Sequence, residues 1–216
     1  MNVIELFSSI DGEGKRQGFL TTFLRLHDCN IRCSYCDTLY SYGPESTFES
    51  MSVQAVADVI EQLENHRITV TGGEPLLQEP AIIELIDELT RRNARYDFNI
   101  ETNGTIIPSF HRDNVWFTYD YKTPSSLAEE AMNLDIFKVA TPADIIKFVV
   151  GSMQDLDRMD EILKTYPTDA QIFVSPVWGN IEGATIVEYM KAHNWQNVRF
   201  QLQIHKFIWD PDAKGV

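Results

Sequence analysis

Two apolar periodicities alternate along this chain, and that alternation narrows its fold more than any other feature. Short runs rich in β-branched and aromatic residues read as strands at 19–26, 67–71, 97–101, 115–120, 144–150, 171–175 and 198–204. Between several of them lie helical stripes. Val53, Val56, Ile60 and Leu63 step by three and four, as do Ile82, Ile86 and Leu89. Leu156, Met159, Leu163 and Tyr166 form a third stripe, and Ile186, Val187 and Met190 a weaker fourth. Such alternation predicts a mostly parallel sheet with crossover helices. Residues 103–114 are too few and too polar for a crossover helix, and 123–141 is only partly helical in pattern. A complete eight-fold barrel usually takes about 250 residues; this chain has 216. The expected class is therefore α/β, a partial, open parallel β/α barrel. It should have about six core strands, a reduced set of helices, and one domain over residues 1–216.

Composition supports a folded, soluble chain: 44% of residues are apolar and 23% charged, which excludes a disordered or collagen-like protein. Lys and Arg number 18 against 32 Asp and Glu, a net charge of −14. That field repels phosphate, so neither nucleic acid nor an anionic membrane is an expected partner. No apolar run approaches 18 residues, and Met1 to Glu5 lacks the basic start of a secretory signal. A cytoplasmic location is the default expectation.

Parallel α/β folds gather functional groups at the carboxyl ends of their strands. Cys29 follows the first expected strand, Gly72-Gly73-Glu74-Pro75 the second and Glu101-Thr102-Asn103-Gly104 the third. Asp120-Tyr121-Lys122 follows the fourth and Ser175-Pro176-Val177-Trp178 the sixth. All three cysteines fall within eight residues, as Cys29-x3-Cys33-x2-Cys36. An odd, clustered set argues for metal ligation rather than disulfides. Zinc would want a fourth protein ligand, from Asp28, His27 or His205. A 4Fe–4S cluster held by three thiolates instead leaves one iron open to another ligand.

The cysteine loop after the first strand, with Tyr35 before its last cysteine, resembles that of the radical S-adenosylmethionine (radical SAM) superfamily. Thr71-Gly72-Gly73-Glu74-Pro75 after the second strand resembles the same superfamily's GGEP motif. The resemblance implies a radical SAM core domain carrying a 4Fe–4S cluster and S-adenosylmethionine. Cofactor contacts would come from Tyr35, Gly72, Gly73 and Glu74, from Asp120, Tyr121 and Lys122, and from Ser175, Pro176, Val177 and Trp178. A flavodoxin- or ferredoxin-type reductant would supply the electron.

Over nearly its whole length the chain resembles the 7-carboxy-7-deazaguanine synthase family. That family makes 7-carboxy-7-deazaguanine and ammonia from 6-carboxy-5,6,7,8-tetrahydropterin, by radical ring contraction on the pathway to queuosine in tRNA. The likeness is carried by Ile10-Asp11-Gly12-Glu13-Gly14, by Cys36-Asp37-Thr38 and by Gln203-Ile204-His205-Lys206. It implies a carbon–nitrogen lyase whose substrate meets Ile10, Asp11, Gly12, Thr71 and His205. Arg25 would pair with the substrate carboxylate, which its planar fork suits. Glu13 and Glu101 are candidates for the guanidine-like edge of the pterin, and Thr38 would ligate Mg2+. A homodimer is the expected assembly.

Simpler roles compete at each position: a rim ion pair for Arg25, a plain turn for Gly12 and Gly14, a helix cap for Thr38. Three departures from the family pattern stand out. Asp11 occupies a usual glutamine position, exchanging an amide for an acceptor-only carboxylate. Asp120 and Tyr121 replace the Ser-Pro of a usual Ser-Pro-Lys. Residues 209–216 continue past the His-Lys pair, where some members offer a terminal carboxylate to the substrate. Two other readings share the cysteine loop: an activase acting on a glycyl-radical protein, and a zinc-stabilised binding module.

Overall fold

Apolar and polar residues alternate along the strands, and the fold turns the two sets to opposite faces of one sheet. A computed structural model describes residues 1–211 and 213–215. The strands are β1 (Asn2–Ile10), β2 (Leu20–Leu26), β3 (Glu49–Ser50), β4 (Arg67–Gly72), β5 (Asp97–Thr102), β6 (Val115–Tyr121), β7 (Ile145–Val150), β8 (Gln171–Pro176) and β9 (Val198–Phe200). The helices are α1 (Val53–Gln62), α2 (Glu79–Arg92), α3 (Ile136–Val139), α4 (Met153–Thr165), α5 (Gly183–Ala192) and α6 (His205–Ile208). The strands form one sheet in the order β3-β1-β2-β4-β5-β6-β7-β8-β9. From β2 to β9 all pairings are parallel, while β1 runs antiparallel to both β2 and β3. The sheet does not close on itself, so the barrel is open as expected.

Leu24, Leu26, Ile68, Val70, Phe98, Ile100, Ile146 and Phe148 are fully buried in the outer, apolar layer. Val56 and Ile60 of α1, Ile82 and Leu89 of α2, and Leu156 and Met159 of α4 belong to the same core. Removing this much apolar surface from water is the main stabilising term of the fold. The residues between them, Arg25, Thr71, Glu101, Asp120 and Lys147, face a cavity on the inner side. Helix starts follow local chemistry. Ser52 accepts the Ala55 N–H at the head of α1, and Ser152 and Asp155 form a capping box on α4. Asp155 also accepts the Ser125 N–H at 2.9 Å, tying the loop after β6 to α4.

The four expected helical stripes are α1, α2, α4 and α5. Residues 103–114 cross from β5 to β6 without a helix, and 123–141 holds two single 3-10 turns and the four-residue α3. Three strands differ from expectation, one of them the two-residue β3 that pairs with β1. β1 is a strand where the sequence showed no clear alternation, because most of its residues are half-buried on both faces. Cross-strand stacking of Phe7 on Phe23, with centroids 5.3 Å apart, fixes it to β2. The last expected strand, 198–204, ends at Phe200. The Gln201 side chain brackets Gly14, accepting its N–H at 2.7 Å and donating to its carbonyl at 3.0 Å. Ile204 N then donates to Gly12 O, so the chain bends towards residues 11–14.

Residues 11–18 close the amino-terminal end of the barrel. Arg16 lies across that floor, donating to Asp11, Asp97, Thr69 and the Ile68 carbonyl. Its guanidinium sits 4.7 Å over the Trp116 ring.

Candidate active site

A backbone arrangement sets the mouth of the cavity. Asp28, two residues past β2, has φ of 80°, in the left-handed region, and its side chain accepts the Cys29 N–H at 2.8 Å. Its carbonyl accepts the Glu74 N–H at 2.8 Å, so the cysteine loop and the Gly-Gly-Glu-Pro turn are locked together. Gly72 has φ of 138° and lies against the Leu26 backbone, and a Cβ on Gly73 would collide with the Asp28 carbonyl. Both glycines answer a close backbone approach.

Cys29, Cys33 and Cys36 are free, half-buried thiols lining the same cavity. Burial pushes the Cys29 thiol up and the Cys33 thiol up to about 11, against the pull of Lys122. Both are thiols at neutral pH, and binding a metal centre would release their protons. Among the described residues no three His, Cys, Asp or Glu side chains are grouped to hold a single metal ion. Asn103, of the segment that follows β5, places its amide 3.8 Å from Cys29 Sγ.

Of the residues expected to contact the cofactor, Tyr35, Gly72, Gly73, Asp120, Lys122, Val177 and Trp178 line the cavity. Asp120 Oδ2 pairs with Lys122 at 2.9 Å, while its Oδ1 is buried without a partner. That orphaned acceptor, next to the thiols, fits a hydroxyl-bearing ligand. Burial works against the charge of Lys122, but Asp120, Tyr35 and Cys33 together outweigh it and hold the ammonium above the ordinary lysine range.

Glu74, Tyr121, Ser175 and Pro176 do not line the cavity. Glu74 is wholly buried, and its carboxylate accepts from Leu76 N, Thr102 Oγ1 and Asn103 N at 2.7–2.9 Å. It staples the ends of β4 and β5 rather than offering free oxygens to a ligand. Tyr121 packs on Phe148 and Phe137 in the apolar layer, with its hydroxyl on Glu129. Ser175 donates to Glu13 at 3.1 Å and acts through that residue.

Of the expected substrate contacts, Ile10, Asp11, Gly12, Glu13, Arg25, Thr71, Glu101 and His205 all line the cavity. Asp11 is already occupied, accepting from Arg16, Thr21 and Thr69 at 2.9–3.1 Å, so its carboxylate belongs to the floor. Gly12 is no plain turn: a Cβ there would run into the His205 ring. His205 opens α6, and burial lowers its pKa despite Glu13 nearby, which keeps the ring neutral. Arg25 makes the rim ion pair, Nε to Glu5 Oε1 at 2.6 Å, and Tyr40 donates to the same oxygen. Its terminal nitrogens make no hydrogen bond among the described residues, leaving that end of the fork open to the cavity. Thr38 occupies a cap position without a capping bond; its hydroxyl donates to Asp37 at 2.9 Å, and its lone pairs are available to a hard cation.

Glu101 lies deep in the wall with one long hydrogen bond, from Asn99 at 3.4 Å. Burial first, and then Asp11, Glu13 and Asp120, push its carboxyl from 4.5 up to about 7, against Lys147. The folded chain therefore keeps a proton here that the unfolded chain releases, so this group's contribution to stability falls as pH rises from 4.5 to 7. Sequence reading missed Lys147, and Lys206, which sits 3.4 Å from Asp37. It also gave no sign that Asp210, Pro211, Ala213 and Gly215 return to the cavity. Asp212 and Val216, the remainder of that tail, lie outside the described residues.

An open parallel barrel with three thiols and a double-glycine turn at one end defines a radical SAM protein, and residues 25–115 match the Radical SAM superfamily. A 7-carboxy-7-deazaguanine synthase of Clostridium acetobutylicum is 38% identical, covering 99% of this chain and 98% of that one. One from Methanospirillum hungatei is 37% identical, covering 98% and 86% respectively. The chain belongs to the 7-carboxy-7-deazaguanine synthase family. The fold is also that of QueE from Escherichia coli, whose crystal structure superposes with a TM-score of 0.70 at 24% identity, over 93% of this chain and 92% of that one. No helix is long and apolar enough to cross a membrane among the described residues.

Proposed function

We propose that this enzyme converts 6-carboxy-5,6,7,8-tetrahydropterin into 7-carboxy-7-deazaguanine and ammonia. The observation that carries this reading is one cavity shared by three thiols, an open-ended Arg25 and the carboxylates Glu13 and Glu101. A 4Fe–4S cluster on Cys29, Cys33 and Cys36, with S-adenosylmethionine, supplies a 5′-deoxyadenosyl radical when bound. The overall conversion balances in atoms and needs no net oxidant, so the residues need only bind, orient and exclude water. Arg25 takes the substrate carboxylate, Glu13 and Glu101 accept from the guanidine-like edge, and neutral His205 packs on the floor beside Gly12. Thr38 is the residue to hold Mg2+. A flavodoxin- or ferredoxin-type reductant, a homodimer and a cytoplasmic role in the queuosine pathway of tRNA complete the proposal.

The test is anaerobic turnover of the reconstituted enzyme with S-adenosylmethionine, dithionite and the carboxylated tetrahydropterin, following product by ultraviolet absorbance and mass. Arg25→Met should lower turnover by about 30-fold or more, since an uncompensated charge pair costs about 2–5 kcal/mol. Iron content should stay parental. A silent Arg25→Met, or equal turnover of a pterin lacking the carboxylate, removes the clamp.

Glu101 gives a pH signature. As a carboxylate it accepts N–H donors; once protonated, near pH 7, it does so poorly. Pterin affinity should therefore fall by up to about tenfold per unit below pH 7. In Glu101→Gln the slope should flatten, the affinity at pH 8 should drop and the ligand-free protein should melt higher. A KM independent of pH between 6 and 8 in the parent would rule out this role.

A further inference from the structure

Lys147 is the single charged residue of β7, whose other five residues are apolar and buried. Its side chain is only 8% exposed, and Nζ lies 3.1 Å from Glu13 Oε2 and 3.7 Å from Asp120 Oδ2. Burying an ammonium carries a desolvation cost that a methionine at the same place would not. Stability alone therefore does not call for a lysine on this strand. What the charge does is grip Glu13. That carboxylate also accepts Ser175 Oγ at 3.1 Å on Oε1 and Gln203 Nε2 at 3.3 Å on Oε2. Three donors, from β7, β8 and the segment after β9, converge on one side chain that would otherwise swing freely from the floor loop.

We infer that Lys147 is a positioning residue of the substrate pocket, fixing the Glu13 carboxylate as acceptor for the guanidine-like edge of the pterin. The inference rests on the pterin reading above. The other titratable groups facing this pair are Asp120 of β6, Glu101 of β5, Asp11 of the floor, Asp37 of the cysteine loop, and His205 and Lys206 of α6. Four of these six are carboxyl groups, and Asp120 is already shared with Lys122. Without the Lys147 ammonium, Glu13 faces mostly negative neighbours and loses the charged donor that fixes its carboxylate.

The experiment uses anaerobic holoenzyme and two readouts: fluorescence titration with 6-carboxypterin, and KM against kcat for the tetrahydropterin. Lys147→Met should weaken carboxypterin binding by about 30-fold at pH 7, the loss expected of a buried charge pair. The effect should fall mainly on KM, with iron content close to parental. Lys147→Arg, which keeps the charge, should stay within about fivefold of the parent. In a Glu13→Gln background Lys147→Met should add little, because the carboxylate it serves is gone.

Parental binding by Lys147→Met, or a full loss on top of Glu13→Gln, overturns the assignment. If Lys147→Met fails to fold or to hold its cluster, Lys147→Gln against Lys147→Arg makes the same comparison, and equal affinities there overturn it too. A parent enzyme that neither binds carboxypterin nor turns over the tetrahydropterin defeats the pterin reading itself, and this inference with it.

Discussion

Gly73→Ala is expected to abolish turnover and to strip the enzyme of its cluster, although Gly73 carries no ligand atom. The added Cβ would lie inside van der Waals contact of the Asp28 carbonyl oxygen and carbon, and 2.8 Å from Cys29 Cβ. A flexible side chain can move out of the way; a backbone carbonyl held by the Glu74 N–H at 2.8 Å cannot, without releasing the loop. Asp28 is already in the left-handed region, so its local freedom to adjust is small. Displacing it moves Cys29 and frees the turn that carries Glu74, whose bonds from Thr102 and Asn103 tie β4 to the end of β5. Overpacking against backbone, with loss of a buried hydrogen-bond network, belongs to the class of substitutions costing more than about 4 kcal/mol. Iron and sulfide content, with melting temperature, would measure it. Gly151→Ala is the control, since neither Gly73 nor Gly151 has a positive φ and a Cβ on Gly151 meets nothing closer than 3.4 Å. Parental cluster content in Gly73→Ala would show that the two loops are not coupled through this contact.

What the sequence made legible was whatever is written in contiguous residues. Three thiols within eight positions and a double glycine before a strand-end Glu-Pro are local signals, and both meet at the cavity. The strand–helix alternation was legible for the same reason, since each stripe lies within a dozen residues. Side-chain direction was not. Glu74 reads as a free carboxylate at a strand end, yet its partners are Thr102 and Asn103, 28 and 29 residues away. Asp11 reads as a substrate contact until Arg16 and Thr69 claim it. β1 escaped because half-burial on both faces erases the period of two by which a strand is recognised. Lys147 did leave a trace: a lone lysine in Ile-Ile-Lys-Phe-Val-Val is a charge where a buried strand should have none, which asks for a partner.

Arg16→Met should be the most destabilising single change in the floor. Arg16 is 8% exposed at its side chain and makes hydrogen bonds to Asp11 Oδ2 (3.0 Å), Thr69 Oγ1 (2.9 Å), Ile68 O (2.8 Å) and Asp97. It therefore binds the floor segment to the first residues of both β4 and β5. Methionine restores the apolar contact with Trp116 but leaves Asp11 buried with no cation. Breaking one side of a buried ion pair costs about 3–5 kcal/mol, and in a chain of this size each kcal/mol lowers Tm by roughly 2–4 °C. The pH dependence follows from Asp11. Burial already raises its pKa above 3.8 in the presence of Arg16, and removing the guanidinium raises it further. A carboxyl with a raised folded-state pKa loses stability as pH climbs from its unfolded value through the folded one. The deficit of Arg16→Met should thus be smaller at pH 5 than at pH 8. Adding Asp11→Asn should recover part of it, because an amide needs no counter-charge. Arg16→Lys should not, since one ammonium cannot reach acceptors on three separate segments. Thermal melts of the four proteins at both pH values decide the matter. A deficit independent of pH, unrelieved by Asp11→Asn, would mean that Arg16 acts through packing on Trp116 alone.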